Sequence, residues 1–174
     1  MNALNIEIKA KCADLIQIRT ILNNQHARFI GTDHQIDTYF KVNNGRLKMR
    51  EGSIENALIH YSRPNQAGPK KSEVILYKSK PNSSLKEVLE ISLGILTIID
   101  KQRSIYFIGN VKFHLDEVKT LGTFVEIEAI DTDGTRDEKQ LKAQCERYIQ
   151  LFEIKKEDLL ENSYSDLILM TEKP

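Results

Sequence analysis

Residues 5–11, Asn5-Ile6-Glu7-Ile8-Lys9-Ala10-Lys11, alternate between apolar and polar or charged side chains. A β-strand points alternate side chains to opposite faces, so this stretch predicts a strand with one apolar face and one charged face. The same two-residue period recurs later in the chain, in residues 46–51, 101–103, 111–117 and 124–129. We therefore expect a mainly β protein in which several strands each present a charged face.

The charges on these faces fall into like-signed pairs, such as Lys48 with Arg50 and Glu126 with Glu128. The solvent-exposed face of an ordinary antiparallel sheet is also rich in Lys and Glu, and such a face would explain any single pair as well as a binding site would. Like-signed pairs, however, forgo cross-strand neutralisation that contributes about 0.2–1 kcal/mol per pair. If helices cover the apolar faces, the charged faces must point inward, where a polyanion and divalent cations would neutralise them. The pattern therefore predicts a polyanion site with a metal site beside it.

Turn and capping signals divide the chain into eight strands and a few helices. The predicted strands are 4–12, 34–41, 46–51, 56–63, 73–80, 95–108, 111–117 and 122–130. Four helices are predicted. The first follows Asp14, and the second follows Ser83-Ser84, with Glu87 completing a capping box. The third starts at Thr135 or Asp137, and the fourth covers 156–160. Residues 64–71 read as a polar loop. Most strands follow one another through short turns, which favours an antiparallel sheet or barrel over a βαβ arrangement.

Composition excludes several functional classes. The 25 basic and 25 acidic residues cancel, so no overall charge attracts nucleic acid or a membrane surface. Trp is absent, which leaves little support for an aromatic platform that stacks nucleotide bases. Cys12 and Cys145 form no CxxC pair, so we expect reduced thiols, with neither a disulfide nor a zinc site. Without a signal peptide or a long apolar run, residues 1–174 are expected to form one cytoplasmic domain.

The same segments resemble the CYTH superfamily, the triphosphate tunnel metalloenzymes, which include class IV adenylyl cyclases and thiamine triphosphatases. The family's N-terminal Glu-x-Glu-x-Lys strand corresponds here to Asn5-Ile6-Glu7-Ile8-Lys9. The other matching stretches are 37–40, 46–51, 61–64, 101–103, 114–118, 121–122, 124–128 and the tail Ser163-Tyr164-Ser165-Asp166-Leu167. The resemblance covers nearly the whole chain through the order and spacing of these stretches.

The resemblance implies an α+β, mainly β fold: an eight-stranded antiparallel closed β-barrel, the triphosphate tunnel, with helices packed outside. It implies Mg²⁺ or Mn²⁺ as cofactor and a nucleoside, organic or inorganic triphosphate as partner, with a homodimer as a further expectation. By position, the implied triphosphate ligands are Lys9, Lys11, Lys48, Arg50, Arg63, Lys101 and Arg103. The implied metal ligands are Glu7, Asp116, Glu126 and Glu128.

Three functions remain open at the level of sequence. The first, favoured by the resemblance of the tail and of Tyr61-Ser62-Arg63-Pro64, is an adenylyl cyclase that converts ATP to cyclic AMP and pyrophosphate. The second is a triphosphatase that hydrolyses a terminal phosphate of tripolyphosphate, thiamine triphosphate or a nucleotide. The third is a polyphosphate binder without catalysis, because Asn5 replaces the first glutamate of the family's strand and brings no charge to a metal. His114 is on the same face as Lys112 and Asp116, and we expect it to line the tunnel as a polar residue rather than to bind a metal.

Overall fold

A computed structural model describes residues 4–171 of the chain. The strands are β1 Leu4–Lys11, β2 Arg28–Phe40, β3 Arg46–Glu51, β4 Ala57–Ser62, β5 Lys70–Lys78, β6 Ile95–Ile108, β7 Val111–Val118 and β8 Gly122–Asp131. The helices are α1 Leu15–Asn24, α2 Leu85–Leu93, α3 Glu138–Leu151 and α4 Tyr164–Thr171, with a 3₁₀ turn at Lys156–Asp158. None of these helices is both long and apolar enough to cross a membrane.

The eight strands close into one antiparallel barrel in the order β1-β5-β4-β3-β2-β6-β7-β8. β1 closes the barrel because it pairs with β8 along its whole length and with β5 at its N-terminal half. This arrangement confirms the predicted closed β-barrel. It also brings strands that are distant in sequence to opposite walls of one interior.

The apolar faces of β1, β7 and β8 lie outside the barrel in a buried cluster with helices α1 and α3. Ile6 and Ile8 of β1 form a buried cluster with Leu22 of α1 and with Leu141 and Cys145 of α3. The alternate residues of β1 therefore point inward, as the two-residue period predicts. Asp14 and Asp137 cap α1 and α3 by accepting hydrogen bonds from the backbone nitrogens of Gln17 and Gln140.

The clearest differences from the sequence prediction are two strand starts, one helix cap and the predicted helix 156–160, where the structure has only the 3₁₀ turn Lys156–Asp158. β2 begins at Arg28 because residues before position 34 pair with the end of β6, across a register shift between Phe29 and Gly31 that interrupts the alternation. β5 begins at Lys70, inside the predicted loop, because Lys70 pairs with Glu7. The predicted capping box at α2 was wrong, since the Ser84 side chain makes no capping hydrogen bond.

Candidate active site in the barrel interior

The barrel interior contains a cavity of about 390 Å³. At its β3–β4 end, the side chains of Glu55, Lys112 and Glu128 are 24%, 15% and 18% exposed, so the cavity opens to solvent there. At the other end, Tyr164 at the start of α4 packs on Phe124, with ring centroids 4.9 Å apart. Tyr164 belongs to a buried apolar cluster that also contains Tyr39 and Ile99. The interior is therefore a pocket with one wet mouth and one apolar end.

Basic side chains outnumber acidic ones on the cavity wall. Among the described residues, the basic lining residues are Lys9, Lys48, Arg50, Arg63, Lys78, Lys101, Arg103 and Lys112. The acidic lining residues are Glu7, Asp37, Glu55, Glu126 and Glu128. The excess of positive charge in an enclosed, low-dielectric space favours a multiply charged anion.

Asp37 of β2 holds three of these cations in place. Its carboxylate accepts hydrogen bonds from Lys48 Nζ at 2.9 Å, from Lys101 Nζ at 2.6 Å, and from two guanidinium nitrogens of Arg50 at 2.8 and 3.0 Å. Burial alone would raise the pKa of Asp37, but Arg50, Lys101 and Lys48 hold that pKa well below its ordinary value. The three cations are thus fixed before any ligand arrives.

Arg103 of β6, two residues from Lys101, forms a second cluster beside the first. It donates two hydrogen bonds to Asp116, at 2.7 and 2.6 Å, and one to Glu126, at 2.9 Å. Asp116 also accepts a hydrogen bond from the Tyr164 hydroxyl at 2.7 Å. The ring of Tyr164 in turn lies under Lys9, whose Nζ is 3.7 Å from the ring centroid. Helix α4, through Tyr164, therefore contacts both an acidic and a basic residue of the barrel interior.

His114, Glu126 and Glu128 form a group that could hold a divalent cation. One ligand atom from each lies within 4.8 Å of the others. His114 Nδ1 lies 3.2 Å from Glu126 and 3.7 Å from Glu128, whereas its buried Nε2 has no hydrogen-bond partner among residues 4–171. Burial and the nearby Arg103 lower the pKa of His114, which favours the neutral imidazole that binds metals. The donor set of two carboxylates and one imidazole fits Mn²⁺, and its oxygens suit Mg²⁺.

Residues 3–164 match the model of one protein family, the CYTH domain. The chain belongs to the CYTH domain family. The resemblance seen in the sequence is thereby confirmed.

Relatives of this CYTH protein match it over almost their whole length. A Methanocaldococcus jannaschii protein named "Putative adenylate cyclase" is 25% identical over 94% of this chain and 98% of its own. A Pyrococcus horikoshii structure has a TM-score of 0.77 at 20% identity, covering 94% of this chain and 98% of its own. A Hippeastrum structure described as a "putative adenylyl cyclase" with a dominant triphosphatase activity has a TM-score of 0.61 at 14% identity, covering 98% and 97%. At these identities the two structures show the shared fold.

Most of the residues singled out in the sequence meet at this CYTH cavity. Of the implied triphosphate ligands, the cavity wall includes Lys9, Lys48, Arg50, Arg63, Lys101 and Arg103. Lys11 is exposed at the end of β1 and does not contribute to the wall. Glu7, Glu126 and Glu128 line the cavity, with Glu7 in an ion pair with Arg63, whereas Asp116 lies behind the wall against Arg103. Their roles in binding stay predictions.

Sequence reasoning missed three features of the site. Asp37 was seen on a strand face, but the period cannot show that it pairs with three cations. Glu55 lies in a loop, where no period exists, and reaches Arg50 and Lys112. His114 was expected as polar lining, and it does line the cavity, but its approach to Glu126 and Glu128 depends on the β7–β8 register.

Proposed function

We propose that this CYTH protein is a metal-dependent enzyme that acts on an organic triphosphate, with the conversion of ATP to cyclic AMP and pyrophosphate as its leading reaction. The observation that carries the proposal is the excess of basic over acidic side chains around an enclosed cavity. Three adjacent phosphoryl groups match this charge better than one does. The name of the Methanocaldococcus relative supports the cyclase among the reactions of triphosphates.

The chain's own residues would bind and orient the phosphates. Arg50 and Arg103 carry planar guanidinium groups that suit phosphate oxygens, and Lys48 and Lys101 add ammonium groups to the cavity wall. Because carboxylates already fix these cations, little reorganisation is needed when the transition state forms. Positioning and charge stabilisation of this kind are the main requirements of reactions at phosphorus.

The group of His114, Glu126 and Glu128 would hold the metal, since its donors fit Mn²⁺ or Mg²⁺. A bound metal would neutralise phosphate charge and make the attacking oxygen easier to deprotonate. Glu126 is already held as a carboxylate: burial would raise its pKa, but Lys9, the hydrogen bond from His114 and Arg103 keep that pKa well below its ordinary value.

The apolar part of the cavity wall favours an organic over an inorganic triphosphate. Ile59 and Tyr61 of β4 and Val74 and Leu76 of β5 line the cavity beside the charged wall. Inorganic tripolyphosphate has no apolar surface to bury against these side chains. A nucleoside or another aromatic group would bury them.

Terminal hydrolysis is the second candidate. The fold is shared with the Hippeastrum protein, which is described as having a dominant triphosphatase activity. The same cations would hold the substrate, and the two reactions would differ only in which phosphorus faces the attacking oxygen.

Product analysis distinguishes the candidates. Purified protein is incubated with Mg²⁺ or Mn²⁺ and, separately, ATP, thiamine triphosphate and inorganic tripolyphosphate, and the products are resolved by chromatography. Cyclic AMP with pyrophosphate is the expected outcome, and orthophosphate would establish the triphosphatase. Metal-dependent binding without turnover would leave a non-catalytic binder. The Glu126→Gln variant, purified in parallel, controls for a contaminating phosphatase.

A further inference from the structure

The loop between β3 and β4 is fastened to the barrel by a buried carboxylate that plays no direct part in the cavity. Asp33 accepts hydrogen bonds from the backbone nitrogens of Ser53, Ile54 and Glu55, at 2.7, 2.9 and 3.0 Å. It also accepts one from the Ser53 hydroxyl at 2.9 Å. A Cβ at Gly52 would lie 2.5 Å from the Asp33 carboxylate, so the loop needs a glycine at that position. The loop is therefore held in one conformation.

This loop places the Glu55 carboxylate across the mouth of the cavity. One oxygen accepts from Arg50 of β3 at 2.9 Å and from Gln35 of β2 at 3.0 Å. The other accepts from Lys112 of β7 at 2.5 Å. Burial would raise the pKa of Glu55, but Arg50 and Lys112 hold that pKa far below its ordinary value, so the group is a carboxylate. A single anion thus bridges two walls of the barrel.

We propose that Glu55 is an internal competitor of the substrate, occupying the position between Arg50 and Lys112 that an outer phosphoryl group takes when a triphosphate binds. This inference rests on the proposed function of the cavity. Both cations line the cavity, and both already donate to an oxygen anion of similar charge. A monoanion displaces the carboxylate at no net gain in charge, whereas a polyanion that also reaches Lys48 and Lys101 gains contacts deeper in the cavity. Glu55 therefore makes the cavity selective for long phosphate chains.

The test compares three variants by calorimetric titration of inorganic tripolyphosphate in Mg²⁺. Glu55→Gln keeps the size of the side chain and an oxygen for Arg50 but removes the charge that holds Lys112. Glu55→Asp keeps the charge but is too short to reach Arg50 and Lys112 together. Glu51→Gln makes the same charge change outside the barrel, where Glu51 pairs with Lys86.

We expect Glu55→Gln to bind tripolyphosphate about tenfold more tightly than the unaltered protein, the equivalent of one charge-assisted hydrogen bond. Glu55→Asp should also bind more tightly, Glu51→Gln should be unchanged, and Glu55→Gln should gain affinity for pyrophosphate by a larger factor than for tripolyphosphate. If Glu55→Gln binds tripolyphosphate equally or less tightly than the unaltered protein, the inference is overturned. The inference is also overturned if Glu55→Gln binds more tightly and Glu55→Asp does not, because the negative charge near the cavity would then explain the result without any competition for Arg50 and Lys112. If none of the four proteins binds either tripolyphosphate or ATP, the proposed function itself fails, whereas equal binding by all four proteins removes only the role of Glu55.

Discussion

At the level of single residues, the cavity is organised by pairs of opposite charge that hold the basic side chains in place before a ligand binds. Asp37 forms ion pairs with Lys48, Arg50 and Lys101, and Arg103 forms ion pairs with Asp116 and Glu126. Removing one member of a buried ion pair typically costs about 3–5 kcal/mol, because its partner stays buried without compensation. The carboxylates therefore have a structural role in the free protein even where they never touch a substrate.

Glu126 should be essential for metal-dependent activity. Glu126→Gln removes a formal charge from the group formed with His114 and Glu128, so we expect kcat/KM to fall by about 100-fold or more, together with weaker Mn²⁺ binding. Glu117→Gln is the matched control, since Glu117 is on the same sheet but is exposed outside it. The kcat/KM of Glu117→Gln should stay within about twofold of that of the unaltered protein. Similar losses in both variants would show that the cavity assignment is wrong.

Asn5 should limit the affinity for metal. It lines the cavity, is 9% exposed, and its side-chain oxygen has no hydrogen-bond partner within the part of the chain that the structure describes. Asn5→Glu adds a charge at this point, and we expect Mn²⁺ to bind about tenfold more tightly, with a higher rate at limiting metal. Asn5→Gln adds length without charge and should show no gain. If Asn5→Glu leaves both affinity and rate unchanged, Asn5 does not limit the metal site.

At the level of elements, the sequence predicted the regular strands well and the irregular segments poorly. The alternation of β1, β7 and β8 identifies their inward faces directly, because the period of a strand is fixed. By contrast, the β3–β4 loop depends on Asp33, which lies about 20 residues away in sequence and has no local signature. The tail 163–167 was recognised by resemblance, but the contact between Tyr164 and Phe124 depends on how α4 docks.

Lys70 should fasten the segment that leads into α4. Its buried Nζ donates to the carbonyls of Gln66 and Leu160, at 3.1 and 3.0 Å, with a longer 3.4 Å contact to Glu161. Lys70→Met removes these bonds, so amide hydrogen exchange in residues 160–171 should become faster. Lys71→Met, in which the neighbouring side chain is exposed, is the control and should exchange like the unaltered protein.

The same lysine gives a pH signature. Burial, with Arg63 and Lys9 nearby, lowers the pKa of Lys70 to about 8, from 10.5 in its ordinary state. Between these values the unfolded chain still holds a proton that the folded protein has released, so the contribution of Lys70 to the free energy of unfolding rises with pH. Urea unfolding from pH 7.5 to 10.5 should show this rise relative to Lys70→Met. Parallel curves for the two proteins would contradict the lowered pKa.

At the level of the whole molecule, the cavity depends on the order of the strands in the barrel, which could not be predicted from the sequence. Apart from Lys11, the triphosphate ligands implied by resemblance come from β1, β3, β6 and the segment after β4, and they line one cavity because β1 lies between β5 and β8. The period of each strand shows which side chains share a face. It cannot show which strands are neighbours, and the ion pairs follow from that neighbourhood.

Because basic side chains outnumber acidic ones around the cavity, a polyanion should stabilise the entire fold. A ligand that binds only the folded state at about 100 times its Kd contributes about 2.7 kcal/mol, which for a chain of this size raises the Tm by roughly 5–10 °C. We expect tripolyphosphate with Mg²⁺ to produce a shift of this size in differential scanning calorimetry, and orthophosphate at the same concentration to produce much less. Lys48→Met, which removes a cation from the cavity wall, should reduce the shift, whereas Lys139→Met on the exposed side of α3 should preserve it. An equal Tm shift with both phosphates, or in both variants, would mean that the stabilisation comes from the outer surface. Binding in the cavity should instead distinguish a chain of three phosphates from a single phosphate, because several cations line it.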